Sequence, residues 1–242
     1  MSHSVIELPG VESNRKIENQ YQDALVTFFS SGEFLLNKEF SNNPIKLNNA
    51  LVDYYSNNKL KNLTHRIFTK VNDYHIEHFD AQINSKKAAN YIATKPYQEY
   101  TEQLQYLNYT VTKNLRDNFI YDVVLASLMQ GLFNTPDNIE RQMIDNSVNK
   151  INERIEIISS DQVIKITQGL TIAKCKALGL PEYKWQTMED DRVRPTHAAN
   201  NQKIFDWDNP PPETGHPGTQ IRCRCKAKII VDKSMAYLLD LD

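Results

Sequence analysis

Cys223-Arg224-Cys225 puts two thiols two residues apart. Side chains alternate along an extended segment, so both thiols face one way. A disulfide between them is strained, because extended residues at this separation hold their Cα atoms near the limit of the bridgeable range. Convergence of both sulfurs on one metal ion is the more comfortable chemistry. Zinc takes four sulfur or imidazole ligands. His216, in a loop with Pro217 and Gly218, and His197, after Arg194-Pro195-Thr196, complete a candidate structural zinc set with Cys223 and Cys225. The common zinc knuckle separates its cysteines by two residues, so the spacing leaves a second reading open. In that reading the thiols are buried and the histidines are hydrogen-bonded loop anchors.

Asp190, Asp191, Arg192 and Arg194 crowd the same stretch. Asp191 with His197 and a metal could hydrolyse phosphodiesters, and the arginines could hold phosphate. The mixed signs read better as an internal network that ties loops together, which a small module with little core needs. Elsewhere, His75-Ile76-Glu77-His78 has the wrong spacing for the paired metal histidines of a zincin helix, and His75 falls on an apolar stripe, so it reads as structural. Cys175 sits inside a predicted helix and reads as a small buried hydrophobe. The tyrosines of "PYQEYTEQLQYLNYT" read as half-buried, with wet hydroxyls.

These residues need elements to place them. Apolar steps of three and four predict helices over about 13–29, 46–57, 59–82 and 97–132. Thr135-Pro136 opens another, with Thr135 as N-cap, and Ser160 caps a separate helix over about 161–178, stopped by Gly179. Residues 1–11 read as frayed around Pro9-Gly10. Gly131 marks an end or a kink. "YKWQTM" and "AKIIV" read as two short strands. The fold class is therefore mainly α, with an extended helical N-terminal region followed by a small loop-rich α+β module. The boundaries fall at 1–180, 181–231 and a tail, 232–242, that ends in acidic residues. Only seven glycines occur in the chain, which suits helices, while five of its ten prolines lie in 184–230, which suits loops.

The chain has 242 residues and a formal net charge of -2, which argues against bulk electrostatic binding to nucleic acid or membranes. No apolar run is long enough to span a bilayer, and the first residues do not read as a secretory signal. Three cysteines are not a secreted disulfide framework, so synthesis in a reducing cytoplasm is expected.

The ordered run Trp185, Thr187, Asp191 (or Asp190), Arg192, Val193, Arg194, Pro195, His197, then Pro212, His216, Pro217, then Cys223, Arg224, Cys225, resembles the phage head morphogenesis family, typified by the F protein of phage Mu. The resemblance covers about 181–230. It implies a non-enzymatic minor head protein of a tailed bacteriophage, made in the host cytoplasm and carried in several copies in the virion head. It implies the portal protein or major capsid protein as partners, with head assembly and DNA packaging or delivery as roles, packaged DNA as a further contact, and no membrane. Some relatives carry an extra cysteine pair near Arg194 and His197, which favours a metal. This chain departs from the family pattern in three places. "NNQK" (200–203) lacks the glycine at which relatives turn, and an asparagine can take the left-handed conformation there. "KITQ" (165–168) stands where relatives often have Arg-Thr-Glu. The spacing from His216 to the cysteines is longer than in the tightest family forms. A zinc-stapled interaction module unrelated to phage is the remaining alternative.

Overall fold

The computed structural model describes residues 5–36, 43–83, 90, 93–133, 135–239 and 241. The first four residues of the expected frayed start, residues 37–42 between the first two expected helices and two of the tail's acidic residues, Asp240 and Asp242, lie outside the described residues. The described helices are α1 (Arg15–Ser30), α2 (Pro44–Tyr54), α3 (Asn57–Asp80), α4 (Lys95–Phe133), α5 (Asp137–Ala177) and the single turn α6 (Pro195–Ala198). The strands are β1 (Val5–Leu8), β2 (Glu182–Gln186), β3 (Ile204–Asp206) and β4 (Lys226–Asp232). The protein is mainly α with a small α+β module. It divides into two compact units, one of residues 1–15, 68–106 and 161–242, the other of 16–67 and 107–160. Helices α3, α4 and α5 each contribute residues to both.

The second unit is all helical. Tyr21, Leu25 and Phe29 of α1, buried at steps of four, share its core with Leu47, Leu51 and Tyr55. Phe29, Tyr55 and Phe119 pack edge to face or tilted, with ring centroids 5.5–6.0 Å apart. The polar groups taken into this core are matched. Tyr21 Oη donates to Asn108 Oδ1 at 2.9 Å and lies 2.7 Å from Thr112 Oγ1. Buried Arg116 reaches back to the Tyr55 carbonyl at 3.0 Å and to Asn57 Oδ1 at 2.8 Å, closing the break between α2 and α3. Asn43 caps α2 by accepting from the Lys46 N–H, with Pro44 in the first turn.

Two helix boundaries differ from the sequence reading. Ser160 does not cap a new helix; α5 runs unbroken through it. Its buried stripe of Ile155, Ser159, Val163 and Ile166 continues across the position, and the Ser160 hydroxyl donates to Glu18 Oε2 instead of to the backbone. Thr135 is not an N-cap either. The Pro136 carbonyl takes the first helical bonds, from Ile139 and Glu140, and the Thr135 hydroxyl closes the Met129 carbonyl near the end of α4 at 2.9 Å. Gly131 interrupts nothing, because α4 continues to Phe133.

The first unit holds the sheet, antiparallel throughout, in the order β1-β4-β2-β3. Both predicted strands are present, as β2 and β4. Tyr183 and Trp185 of β2 are buried opposite Ile229 and Ala227 of β4, on one face. On the other face Lys184 stands opposite Lys228, a repulsive pair. Glu7 of β1 answers it, hydrogen-bonded to Lys184 and 3.7 Å from Lys228. Those contacts hold the Glu7 carboxyl below its ordinary range, the Lys184 hydrogen bond first. The start that reads as frayed is therefore an edge strand from Val5 onward. Its exit depends on Gly10, where a Cβ would lie 2.0 Å from the Ala227 carbonyl oxygen. Helix α5 ends in a Schellman motif, with Leu180 N–H on the Cys175 carbonyl at 2.9 Å, and β2 begins two residues later. The tail continues β4 as a 3-10 helix, Lys233–Leu238, capped by Asp232.

Candidate functional site

Three of the four proposed ligands converge. The turn after β2 folds on Asp190, whose carbonyl accepts from Val193 N–H at 3.1 Å. Pro195 then starts α6, and its one turn carries His197 inward to 2 % exposure. The ring sits edge-on to buried Trp185, centroids 5.5 Å apart at 90°. From the other side comes the segment before β4. Arg222 takes a left-handed conformation, φ 56°, and Cys223 N–H closes a turn on the Gln220 carbonyl at 3.0 Å. Cys223 and Cys225 are buried at 4 % and 5 % exposure. Their sulfurs lie 3.4 and 3.5 Å from the same His197 nitrogen, Nδ1. The ligand atoms of the three residues all fall within 4.8 Å of one another.

The surroundings fix the imidazole. Gln220 Nε2 donates to the Glu213 carbonyl at 3.0 Å, so its oxygen faces the other way, toward Arg194 Nη1 at 3.3 Å and His197 Nε2 at 2.9 Å. An oxygen that already accepts from an arginine accepts from His197 as well. The histidine proton is thereby assigned to Nε2, and Nδ1 presents a bare lone pair to the sulfurs. The Gly218 N–H donates to Cys223 Sγ at 3.3 Å. The Cys223 thiol is lowered, first by a hydrogen bond from Cys225, then by this N–H and the nearby His197. Cys225 is raised by the same hydrogen bond and by burial. The Gly218 N–H makes Cys223 the sulfur on which negative charge is better held. The indole N–H of Trp185 is buried without a hydrogen bond of normal length; its influence falls on Cys225, whose charged form it favours.

The remaining candidates lie elsewhere. The proline-rich loop does not bring His216 to the cysteines; it seats the ring against Tyr183 and Trp207, with Nδ1 3.2 Å from the Tyr183 hydroxyl. Burial and the charge of Lys176 lower its pKa. Asp190, not Asp191, is the acid of the network: both its oxygens accept from Arg224 Nη2, at 2.8 and 2.7 Å, and Arg192 adds a longer contact at 3.4 Å. These contacts, Arg224 first, hold its carboxyl below the usual range. Arg194 ties the Ile221 carbonyl at 2.7 Å. Asp191 is exposed and is not part of the trio. The charged stretch is therefore a set of loop ties, as its mix of opposite charges suggests. The turn lacking glycine also forms, but Gln202 rather than an asparagine takes the left-handed conformation, φ 63°. Its N–H bonds the Trp185 carbonyl at 2.8 Å. In α5, Lys165 pairs with Asp161 at 2.7 Å, and Gln168 Nε2 donates to the Val11 carbonyl at 3.2 Å.

Sequence reading missed Gln220, Asp161 and Gly218. Gln220 and Asp161 match no ligand pattern; each acts through hydrogen bonds that only the folded chain creates. Gly218 carried a signal, as a glycine after His-Pro in a loop, but not its N–H contact to sulfur. Of the two histidines in the α3 pair, His75 is fully buried, with Nε2 2.8 Å from Thr171 Oγ1, while exposed His78 faces the Tyr74 carbonyl. Cys175 is fully buried. Among the described residues no helix is long and apolar enough to cross a membrane.

Comparison with known proteins bears on the segment that carries this site. Residues 118–228 match the Phage Mu protein F like protein family. The match takes in the end of α4, all of α5, strands β2 and β3, the start of β4 and all three converging residues. An uncharacterized protein of Haemophilus influenzae (strain ATCC 51907 / DSM 11121 / KW20 / Rd) is 31% identical over 128 residues, which is 52% of this chain and 28% of that protein. The chain thus spans just over a quarter of the relative's length. No solved structure matches.

Proposed function

We propose that this Mu F-like chain is a structural minor head protein of a tailed bacteriophage, acting in head assembly beside the portal protein or the inner face of the capsid. The observation that carries the reading is the family match over residues 118–228, which contains the whole network of Trp185, His197, Arg224 and the cysteines. The chemistry of that network is consistent with a scaffold. Its arginines are committed to Asp190, Gln220 and a backbone carbonyl, and its histidine faces two buried sulfurs instead of a cleft. A hydrolytic site built on Asp191 and His197 needs the acid beside the metal-facing nitrogen, and that acid lies outside the trio.

The test is the composition of heads. Mass spectrometry of purified particles from the phage or prophage that encodes the chain should find several copies per head. Deletion should leave malformed or unfilled heads. Normal yields of infectious particles lacking the protein would overturn the proposal. Metal-dependent nuclease activity lost in both Asp191→Ala and His197→Ala would favour the hydrolytic alternative.

A further inference from the structure

We propose that His197 Nδ1, Cys223 Sγ and Cys225 Sγ bind one zinc ion as a three-ligand protein site that cross-links the α6 turn to the base of β4, without His216. The inference does not rest on the head-protein reading.

The argument is geometric. Zinc–sulfur bonds of about 2.3 Å and a zinc–nitrogen bond of about 2.05 Å, set at the tetrahedral angle, place sulfur and nitrogen about 3.6 Å apart. The observed separations are 3.4 and 3.5 Å. Two separate sulfurs meet that distance to one nitrogen, which is what a shared metal requires. Hydrogen bonding explains it less well. Neutral imidazole Nδ1 has a single in-plane lone pair, which takes one well-directed S–H, not two.

The surroundings match those of a metal ligand. A coordinating histidine normally donates its other ring N–H to an oxygen that fixes its tautomer. Gln220 does this at 2.9 Å, and is itself held by Arg194 and Glu213. The Gly218 N–H on Cys223 Sγ is the donor that a thiolate attracts. Two thiolates, a neutral imidazole and a divalent cation sum to zero charge, so the buried assembly carries no uncompensated ion. Soft sulfur with imidazole selects zinc over magnesium or calcium. His216 is held at Tyr183 and Trp207. Among the described residues no further Cys, His, Asp or Glu joins the trio, which leaves the fourth position to one further light-atom ligand. Burial of all three ligands marks the site as a staple.

The experiment uses the full chain purified under reducing conditions. Elemental analysis should find one zinc per chain. Cobalt(II) substitution should give the thiolate-to-cobalt charge-transfer and tetrahedral ligand-field bands. X-ray absorption at the zinc edge should report two sulfurs, one imidazole nitrogen and one further light atom. Cys223→Ser and Cys225→Ser should lose the metal, while His216→Ala should keep it. Gln220→Ala should keep the stoichiometry but weaken zinc binding about 10–100-fold, through the freed imidazole. Cobalt titration of the unmutated chain stands even if the cysteine variants do not fold. A folded wild-type chain that takes up neither zinc nor cobalt overturns the site, and so does zinc that departs with His216.

Discussion

The Asp161 carboxylate accepts the backbone N–H of Arg222 at 3.1 Å. Asp161 belongs to α5 and Arg222 is the left-handed residue immediately before Cys223, so one hydrogen bond from a helix sets the loop that presents the cysteine pair. Asp161 is buried and also pairs with Lys165. Removing it leaves a half-buried N–H without its acceptor and loosens the turn. Asp161→Ala should cost about 1–2 kcal/mol, the lower part of the range for an unsatisfied partner because the N–H is only half-buried. Urea unfolding of the two proteins in parallel measures this. A variant as stable as wild type would show that the turn holds itself.

Arg222 offers a complementary change. At φ 56° a side chain costs about 1–2 kcal/mol that glycine does not incur. Its side chain is exposed, so little packing is lost. Arg222→Gly should leave the melting temperature equal or raised, whereas Arg222→Val should lower it, because a β-branched residue is the least tolerant of this conformation.

Gln202 presents the same strain where relatives of the resembled family turn on glycine. It is exposed with φ 63°, and its N–H holds the Trp185 carbonyl. Gln202→Gly should stabilise by about 0.5–1 kcal/mol, the strain relieved less the added backbone entropy. Differential scanning calorimetry reads the shift. A lowered melting temperature would mean that the glutamine side chain holds the turn by a contact of its own.

Gly218 should tolerate no such exchange in reverse. Its φ is 78°, and a Cβ there would lie 2.5 Å from Gln168 Cγ and 3.2 Å from Ile164 Cγ2. Gln168 cannot swing clear without losing its bond to the Val11 carbonyl. Gly218→Ala should cost about 1–3 kcal/mol from overpacking. It should also weaken the N–H contact to Cys223 Sγ, so that cobalt uptake falls alongside the melting temperature.

What the sequence showed and what it hid follow from how local each cause is. The helices were legible because apolar spacing is a property of neighbours three and four apart. Strands β2 and β4 were legible because Tyr183 and Trp185 alternate with polar residues and Ile229–Val231 are β-branched. The edge strand β1 was not, because four residues before Pro-Gly carry no pattern. They form a strand by pairing along β4, where Glu7 also meets the lysine pair of β2 and β4, both cross-strand facts. At the site, residue type identified His197, Cys223 and Cys225. It could not separate His197 from His216, since both follow or precede prolines near the cysteines. Trp207 and Tyr183, far apart in sequence, decide where His216 goes.

Lys174 allows a pH test remote from that site. Its side chain is fully buried, 3.7 Å from Asp80 and over the Phe79 ring at 4.8 Å. Burial pushes its pKa down to about 8, with the Asp80 charge opposing. In the unfolded chain a lysine titrates near 10.4. Between these values the unfolded chain binds more protons than the folded one, so this group's contribution to stability rises with pH across the window. Below about 8 both states are protonated and the cost of burying the charge is felt in full, about 3 kcal/mol at one tenfold per pKa unit. Lys174→Met removes that charge, while its loss of the Asp80 contact is softened because Asp80 is partly exposed. The variant should be more stable than wild type by about 1–3 kcal/mol at pH 7. Its advantage should shrink steadily as pH is raised through 8 toward 10. Raised tyrosines such as Tyr97 are common to both proteins and cancel in the difference. A difference that stays flat across the window would place the Lys174 ammonium in contact with water and remove the burial cost from the account.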